Sequence, residues 1–249
     1  MSNAAYDAFA EQYASQVPTD PDALPTVLGL ATQYLFIALG DVTQRRVLDL
    51  GCGEGHVARR VQAAGGQVTG LDLSSELLRI ARQRGAGIEY ICGDAQDLRE
   101  LADGCFDLVY SNLALMDIPD LVSTYRAVHR VLRPHGRFLF TLVHPCFSPP
   151  GADFLTDETG RFVARTVLRY TEEGFWRSGT VGTVRHTVGA HHRMLSTYVN
   201  ELMSVGFSLH HLVEPTFPPA QYTNPSADCH SKVPPLLIVE SVRQTDTCA

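Results

Sequence analysis

Lysine is nearly absent from this chain. Lys232 is the one lysine among 20 basic residues, which face 27 acidic ones for a net charge of −7. There is no dense cluster of Lys and Arg, so the chain lacks the positive field that nucleic acid or an anionic membrane surface requires, and neither is expected as a partner. A small-molecule partner fits this charge balance better. Also missing is any apolar run near the roughly 18 residues of a membrane span. The first five residues, Met-Ser-Asn-Ala-Ala, have neither the basic region nor the apolar core of a signal peptide, so a cytoplasmic location is expected. Cys52, Cys92, Cys105, Cys146, Cys229 and Cys248 form no C-x-x-C pair, which argues against a zinc site or other metal and for reduced thiols. No internal repeat or low-complexity tract interrupts a chain of 249 residues that is 45% hydrophobic and 19% charged, an ordinary globular composition.

What is present is an alternation of periods. Tyr6, Phe9, Ala10, Tyr13 and Val17 recur at helical spacing, and a second helical pattern runs over residues 23–39. Neither is followed by a strand before residue 46, so residues 1–45 are expected to form a helical cap. Strands are expected at 47–50, 67–71, 88–92, 106–111 and 138–143, with helices from residue 54 to 64, over 75–84 and over 121–132. This rhythm calls for a parallel sheet covered on both faces, with 46–143 as the ligand-binding α/β core. The rhythm fails between residues 144 and 193. An alternating run over 162–170 and a strand-like piece at 180–188 suggest an inserted β-hairpin that covers a substrate. Helix at 195–205 and strands at 207–213 and 236–242 would let residues 194–249 complete the core.

The centre of this pattern is Val47-Leu48-Asp49-Leu50-Gly51-Cys52-Gly53-Glu54-Gly55-His56, a strand that breaks into closely spaced glycines before a helix. Without Cβ atoms, Gly51 and Gly53 let a ligand approach the backbone, and the following helix points its N-terminus at the same place. A dinucleotide fingerprint needs Gly or Ala at position 56 for close packing on a pyrophosphate, and this chain has His56 there. A ligand without a pyrophosphate is favoured. Asp72 closes the second strand at the ~20-residue offset where a carboxylate receives ribose hydroxyls. Leu73 beside it can pack on a purine. Asp94, in Cys92-Gly93-Asp94-Ala95 at the end of the third strand, can accept a hydrogen from an exocyclic amine.

These segments, together with Gly70-Leu71-Asp72-Leu73-Ser74, Phe106-Asp107-Leu108-Val109-Tyr110-Ser111-Asn112 and Leu132-Arg133-Pro134-His135-Gly136, resemble the motif series of class I S-adenosylmethionine-dependent methyltransferases. The resemblance is strong over residues 46–143 and loose on the flanks. It departs at His135, where members more often have glycine. It implies a doubly wound, Rossmann-like α/β fold of seven mostly parallel strands, the last antiparallel, and S-adenosyl-L-methionine as cofactor. By position it implies that Gly51 and Gly53, with Cys52 between them, line the methionine portion and that Asp49 helps to hold its amino group through the turn. Asp72 would take the ribose and Leu73 the purine. Gly93, Asp94 and Ala95 would form the adenine edge, and Ser111 and Asn112 would sit near the methyl-bearing sulfur. Tyr13 is placed like a tyrosine that closes over the cofactor in members with a helical N-terminus.

Transfer of a methyl group from a sulfonium needs alignment and exclusion of water, and a base only where the acceptor arrives protonated. His144, directly after the fifth strand, is the first candidate base, with a side chain whose ordinary pKa near 6.5 suits proton abstraction. His191 and His192, in a His-His-Arg segment like that of bacterial small-molecule members, are the others. Met116, Phe147, Phe175 and Trp176 could line an apolar acceptor pocket. The expectation is a methyltransferase acting on O, N or C of a metabolite in bacterial biosynthesis. Two alternatives stand beside it: the same fold catalysing another reaction such as a cyclisation, and a dinucleotide-dependent oxidoreductase.

Overall fold

A computed structural model of the chain describes residues 5–17, 26–177, 184–218 and 225–245. The elements are, in order, α1 (Ala10–Gln16), α2 (Val27–Leu39), β1 (Arg46–Leu50), α3 (His56–Ala63), β2 (Gln67–Asp72), α4 (Ser75–Arg84), β3 (Glu89–Cys92), β4 (Phe106–Asn112), α5 (Leu121–Val131) and β5 (Leu132–Val143). There follow β6 (Asp153–Thr156), β7 (Phe162–Thr166), β8 (Gly174–Trp176), α6 (Val184–Val188), β9 (Ala190–His192), α7 (Leu195–Ser204), β10 (Phe207–Val213), α8 (Pro225–Lys232) and β11 (Leu236–Arg243). The stretch 23–25 of the expected second helix, and 180–183 of the expected strand, lie outside the described residues.

Seven strands form one sheet in the order β10-β11-β5-β4-β1-β2-β3. The core pairs β1·β2, β1·β4, β2·β3 and β4·β5 are parallel, and β11 runs antiparallel to both β5 and β10. This is the expected architecture. The strand order reverses between β1 and β4, and ligands of doubly wound sheets bind outside the carboxyl ends of the strands at such a point. Leu50 and Asn112 end the two strands there.

The period of two along each strand sorts its side chains between two cores. Leu48, Val109, Phe138 and Phe140 pack on one face with Tyr125 of α5 and Leu202 of α7. Val47, Leu108, Tyr110 and Leu139 pack on the other with Leu35 and Leu39 of α2 and Leu78 of α4. The caps follow ordinary chemistry, since Thr26, Ser74 and Asp120 each accept a backbone N–H of the first turn of the helix that they open. His135 adopts φ +62°, the left-handed region in which glycine is free of strain, which accounts physically for the glycine preference at that turn.

Two small antiparallel ribbons form the insertion. β6 pairs with β7, so a hairpin is present as expected, with 153–156 as the partner of the 162–166 strand, and β8 pairs with β9. The expectation of strand over 180–188 is corrected where it is described, because Val184–Val188 is a helix. Val184 and Val188 stand four residues apart, a spacing that fits a helix face and that so short a span does not distinguish from a strand. Before the sheet, α1 lays Ala10 and Ala14 on Leu77 and Ile80 of α4, with Tyr6 and Tyr13 packed alongside. A 2.6 Å hydrogen bond from Ser74 Oγ to Asp7 Oδ1 fastens the segment before α1 to the start of α4.

Candidate functional site

The glycine turn is built by backbone strain that only glycine relieves. Gly51 takes φ +75° and Gly53 φ +55°, and a Cβ on Gly51 would stand 2.5 Å from the Ala114 Cβ. Gly51 and Cys52 both donate backbone N–H to the Leu71 carbonyl, at 2.8 and 3.0 Å, which ties the turn to β2. Gly55 caps α3 in the left-handed region, and a Cβ there would meet the Tyr90 hydroxyl at 2.2 Å. Position 56 is therefore the first residue of the helix and not part of the turn.

Asp72 closes the structure from the other side. Its Oδ2 accepts the Gly53 N–H and its Oδ1 the Ser74 N–H, each at 2.8 Å. Each carboxylate oxygen retains a second acceptor site. Burial pushes its carboxyl pKa up, opposed by those two amide hydrogens. Asp94, at the end of the neighbouring strand, accepts from Gln96 N at 2.9 Å and from the Gln96 amide nitrogen at 3.0 Å.

Together these groups line a cavity of about 610 Å3 at the switch point. Gly51, Gly53, Asp72, Leu73, Gly93 and Asp94 form its floor. Ala95, Asn112, Tyr13 and His191 complete the walls. Of the expected cofactor residues, Asp49 and Cys52 stand apart from this cavity. They line a small adjoining pocket behind the turn, shared with Tyr13 and Asn112. Asp49 is buried and its Oδ2 accepts from the Tyr110 hydroxyl at 2.7 Å. Burial raises the Asp49 pKa to about 7, with its hydrogen bond from Tyr110 pulling the other way.

The expectation for Ser111 is corrected. Successive residues of a strand point to opposite faces, so Asn112 at the cavity sends Ser111 to the other side. Ser111 is fully buried, lines neither pocket, and its Oγ has no hydrogen-bond partner among the described residues. Asn112 is fixed by accepting the Thr141 hydroxyl at 2.7 Å.

His144 is corrected as well. Its Nδ1 accepts the Cys146 N–H at 3.2 Å, so the neutral ring carries its proton on Nε2, which donates to Glu214 Oε1 at 2.7 Å. Both nitrogens are engaged, the ring is buried, and it lines neither the cavity nor the outer groove described below. Burial lowers its pKa, opposed by Glu214. Phe147 packs its ring on His144 with centroids 4.6 Å apart and lines neither space, so it also leaves the acceptor pocket.

An outer groove of about 840 Å3 lies against the cavity and is lined by Met116, Trp176 and His192 among others. The two spaces share Phe175, Arg177, Arg185, Ala190 and His191. His191 is thus the one candidate base that faces both. Burial and the nearby Arg193 lower its pKa, opposed by Asp117, which favours the unprotonated ring that a base requires. His192 is held differently, with Nε2 donating to the Tyr170 carbonyl at 2.7 Å.

Sequence reasoning missed the latch of this cavity. Tyr6 donates its hydroxyl to Asp117 Oδ2 at 2.8 Å, and Arg185 pairs with Asp117 Oδ1. Three segments far apart in sequence meet here, and no local spacing signals it. Arg193 holds the same loop by donating to the carbonyls of Leu115, Ile118 and Pro119, at 3.3, 2.6 and 2.7 Å. Among the described residues no cluster of three metal-ligating side chains occurs, and no helix is long and apolar enough to cross a membrane.

Comparison with known proteins agrees with the geometry. Residues 48–140 match the family described as a methyltransferase domain. The structure of an S-adenosylmethionine-dependent methyltransferase from Mesorhizobium loti superposes with a TM-score of 0.74 at 32% identity, over 90% of this chain and 100% of that one. A second, proposed to be such a methyltransferase, from Listeria monocytogenes, gives 0.74 at 30% identity over 86% and 98%. The chain belongs to the S-adenosylmethionine-dependent methyltransferase family. It is also similar to the malonyl-[acyl-carrier protein] O-methyltransferase of Pseudescherichia vulneris, 43% identical over 111 residues, which are 45% of this chain and 44% of that one. The chain spans about half the length of such curated relatives.

The cavity fits the cofactor of this family. A turn that carries no side chain at Gly51 or Gly53 offers bare backbone, and two carboxylates at adjacent strand ends suit a ribose and an adenine amine. The fit includes a mouth toward the groove at His191, where an acceptor can meet it.

Proposed function

We propose that this protein methylates an oxygen, nitrogen or carbon nucleophile of a small molecule, as part of a bacterial biosynthetic route. One observation carries the reading: a ribose-type carboxylate, a bare glycine turn and an imidazole share one cavity that opens into a second groove with both apolar and charged walls. When bound, the cofactor supplies an activated methyl group on a sulfonium.

The protein's part is to bind, align and dry the site. Gly51 and Gly53 admit the amino-acid end of the cofactor against the backbone. Asp72 receives the ribose hydroxyls on its free acceptor sites, while the N–H groups of Gly53 and Ser74 keep it oriented. Leu73 packs on the purine, and Asp94 beside Gly93 and Ala95 accepts from the exocyclic amine. Asn112 and Tyr13 close the cavity beside the glycine turn. Asp49 acts from beneath, through the turn it supports. The Tyr6–Asp117–Arg185 latch ties the N-terminal segment to the insertion and keeps water from the junction. His191 takes the proton of a protonated acceptor on a ring nitrogen, and Met116 and Trp176 hold the acceptor body.

Calorimetry with S-adenosylhomocysteine and with NAD tests the binding half: the former is expected to bind and the latter not. Transfer of labelled methyl into a panel of metabolites tests the reaction. Tight cofactor binding with no transfer to any acceptor would instead favour a non-transfer reaction such as cyclisation.

A further inference from the structure

The chain carries a net charge of −7, yet five arginines line the outer groove against three carboxylates, Asp153, Glu172 and Glu173. Their partners differ. Arg169 is neutralised by Glu172 at 2.6 Å, Arg185 by Asp117, and Arg193 is spent on the three carbonyls of the 115–119 loop. Glu173 accepts from Met194 N at 2.6 Å and from the Thr197 hydroxyl. Arg165 and Arg177 remain, and no carboxylate among the described residues lies within ion-pair distance of either.

Arg165 is the better prepared of the two. Its Nε donates to the Phe147 carbonyl at 2.7 Å and its guanidinium lies 4.1 Å over the Phe154 ring. The side chain is half-buried, and burial lowers its pKa, opposed by Cys229 and by the Asp153 carboxylate, which stands beyond ion-pair distance. Taking a cation out of water without a counter-charge is costly, and a bound anion offsets that cost. A guanidinium fixed through Nε and stacked on one face offers its remaining N–H edge in the plane that a carboxylate or phosphate engages in bidentate fashion. Arg165 lines the groove and not the cofactor cavity, whereas His191 lines both. Met116, Val143, Pro149 and Trp176 supply apolar wall between.

Resting on the methyltransferase reading, we propose that the acceptor is an amphipathic anion whose carboxylate or phosphate is received by Arg165 at the far end of the groove, with its nucleophile presented at His191. Arg165 would then set acceptor specificity without touching the reacting atoms.

Trp176 is the chain's one tryptophan and stands in the groove wall, so its fluorescence reads occupancy without turnover. The full chain, saturated with S-adenosylhomocysteine, is titrated with hydrocinnamate, with its neutral amide and with phenethyl phosphate. At least one anion is expected to quench saturably, more weakly as salt is added, with the amide about tenfold weaker or worse. The tighter anion identifies the class. Arg165→Gln should cost roughly 10- to 100-fold in anion affinity and bring acid and amide level, while S-adenosylhomocysteine still binds. Arg165→Lys, which keeps the charge but not the fork, should recover part, and melting temperatures report whether either variant folds.

Equal binding of acid and amide by the wild type, no binding of either anion, or an acid preference that survives Arg165→Gln overturns the proposal. A preference abolished by Arg177→Gln alone assigns the anion elsewhere and overturns it too. Failure of the wild type to bind S-adenosylhomocysteine at the outset strikes the methyltransferase reading instead.

Discussion

Replacing Asp72 separates two roles that the structure gives to one carboxylate. In the protein alone it receives the N–H groups of Gly53 and Ser74, both at 2.8 Å. Asparagine can accept only one of them and turns an NH2 toward the other, so at least one charge-assisted hydrogen bond worth about 1.5–3 kcal/mol is lost. Removing a buried charge returns part of that, because burial already disfavours the ionised form, and the net fall in stability of Asp72→Asn should be small. Binding has no such offset. Two ribose hydroxyls each lose a charged acceptor, so S-adenosylhomocysteine should bind roughly 10²- to 10⁴-fold more weakly by calorimetry. The 2′-deoxy form of the ligand isolates one of the two contacts. It should bind the wild type more weakly and lose in Asp72→Asn only the part due to the remaining 3′-hydroxyl, about half the penalty of the full ligand on a logarithmic scale, since the other partner is already gone. Unchanged calorimetric affinity in the variant, or a full second penalty with the deoxy ligand, would refute the ribose assignment.

Gly51→Ala should weaken the cofactor and lower the melting temperature, from a positive φ strained by about 1–2 kcal/mol and from contact with Ala114. Adding Ala114→Gly should restore the contact part and leave the backbone part, so full rescue would sink the φ argument. His191→Gln should lower kcat by roughly 10²-fold or more for a protonated acceptor while cofactor affinity holds. The wild-type rate should rise with pH through a pKa below 6.5 and then level, because the neutral imidazole is the active form. His144→Gln should cost stability and spare turnover, and an equal loss of kcat would reverse the assignment of the two histidines. Asp49→Asn probes a carboxyl whose folded pKa of about 7 stands above its ordinary 3.8. Its favourable contribution is complete below the unfolded value and lost as pH rises through the folded one. Wild type should therefore lose up to about 4 kcal/mol relative to the variant between acidic and mildly alkaline pH, and parallel melting curves would show that Asp49 is not so perturbed.

The parts of the site that could be read from sequence are those whose chemistry is local. Gly51, Gly53 and Asp72 announce themselves because a strand end, a turn with positive φ and a second strand end each demand particular residue types over a few positions. The sheet was readable for the same reason, since parallel strands buried on both faces read as apolar runs between helices. Ser111 failed on a one-residue question. A strand end was located correctly, but which of two neighbours faces the ligand depends on the pleat, and Asn112 took the position. His144 failed on a tertiary one. Its place after β5 was right, yet Glu214, seventy residues on, and the adjacent Cys146 amide occupy both of its nitrogens.

The same distinction explains why cofactor and acceptor differ so much in how plainly they are written. The cofactor is held by backbone, glycine and carboxylates at consecutive strand ends, so its recognition is encoded in short segments. The groove is assembled from the 144–193 insertion, where short ribbons, single arginines and one loop meet without a shared period. Arg165 carries no sequence signal at all, because neither its stacking on Phe154 nor its bond to the Phe147 carbonyl follows from spacing. What singles it out is the charge left over once its neighbours have been paired. In a chain with 27 acidic residues, a half-buried guanidinium that forms no ion pair among the described residues is the part of the groove best suited to a complement from outside.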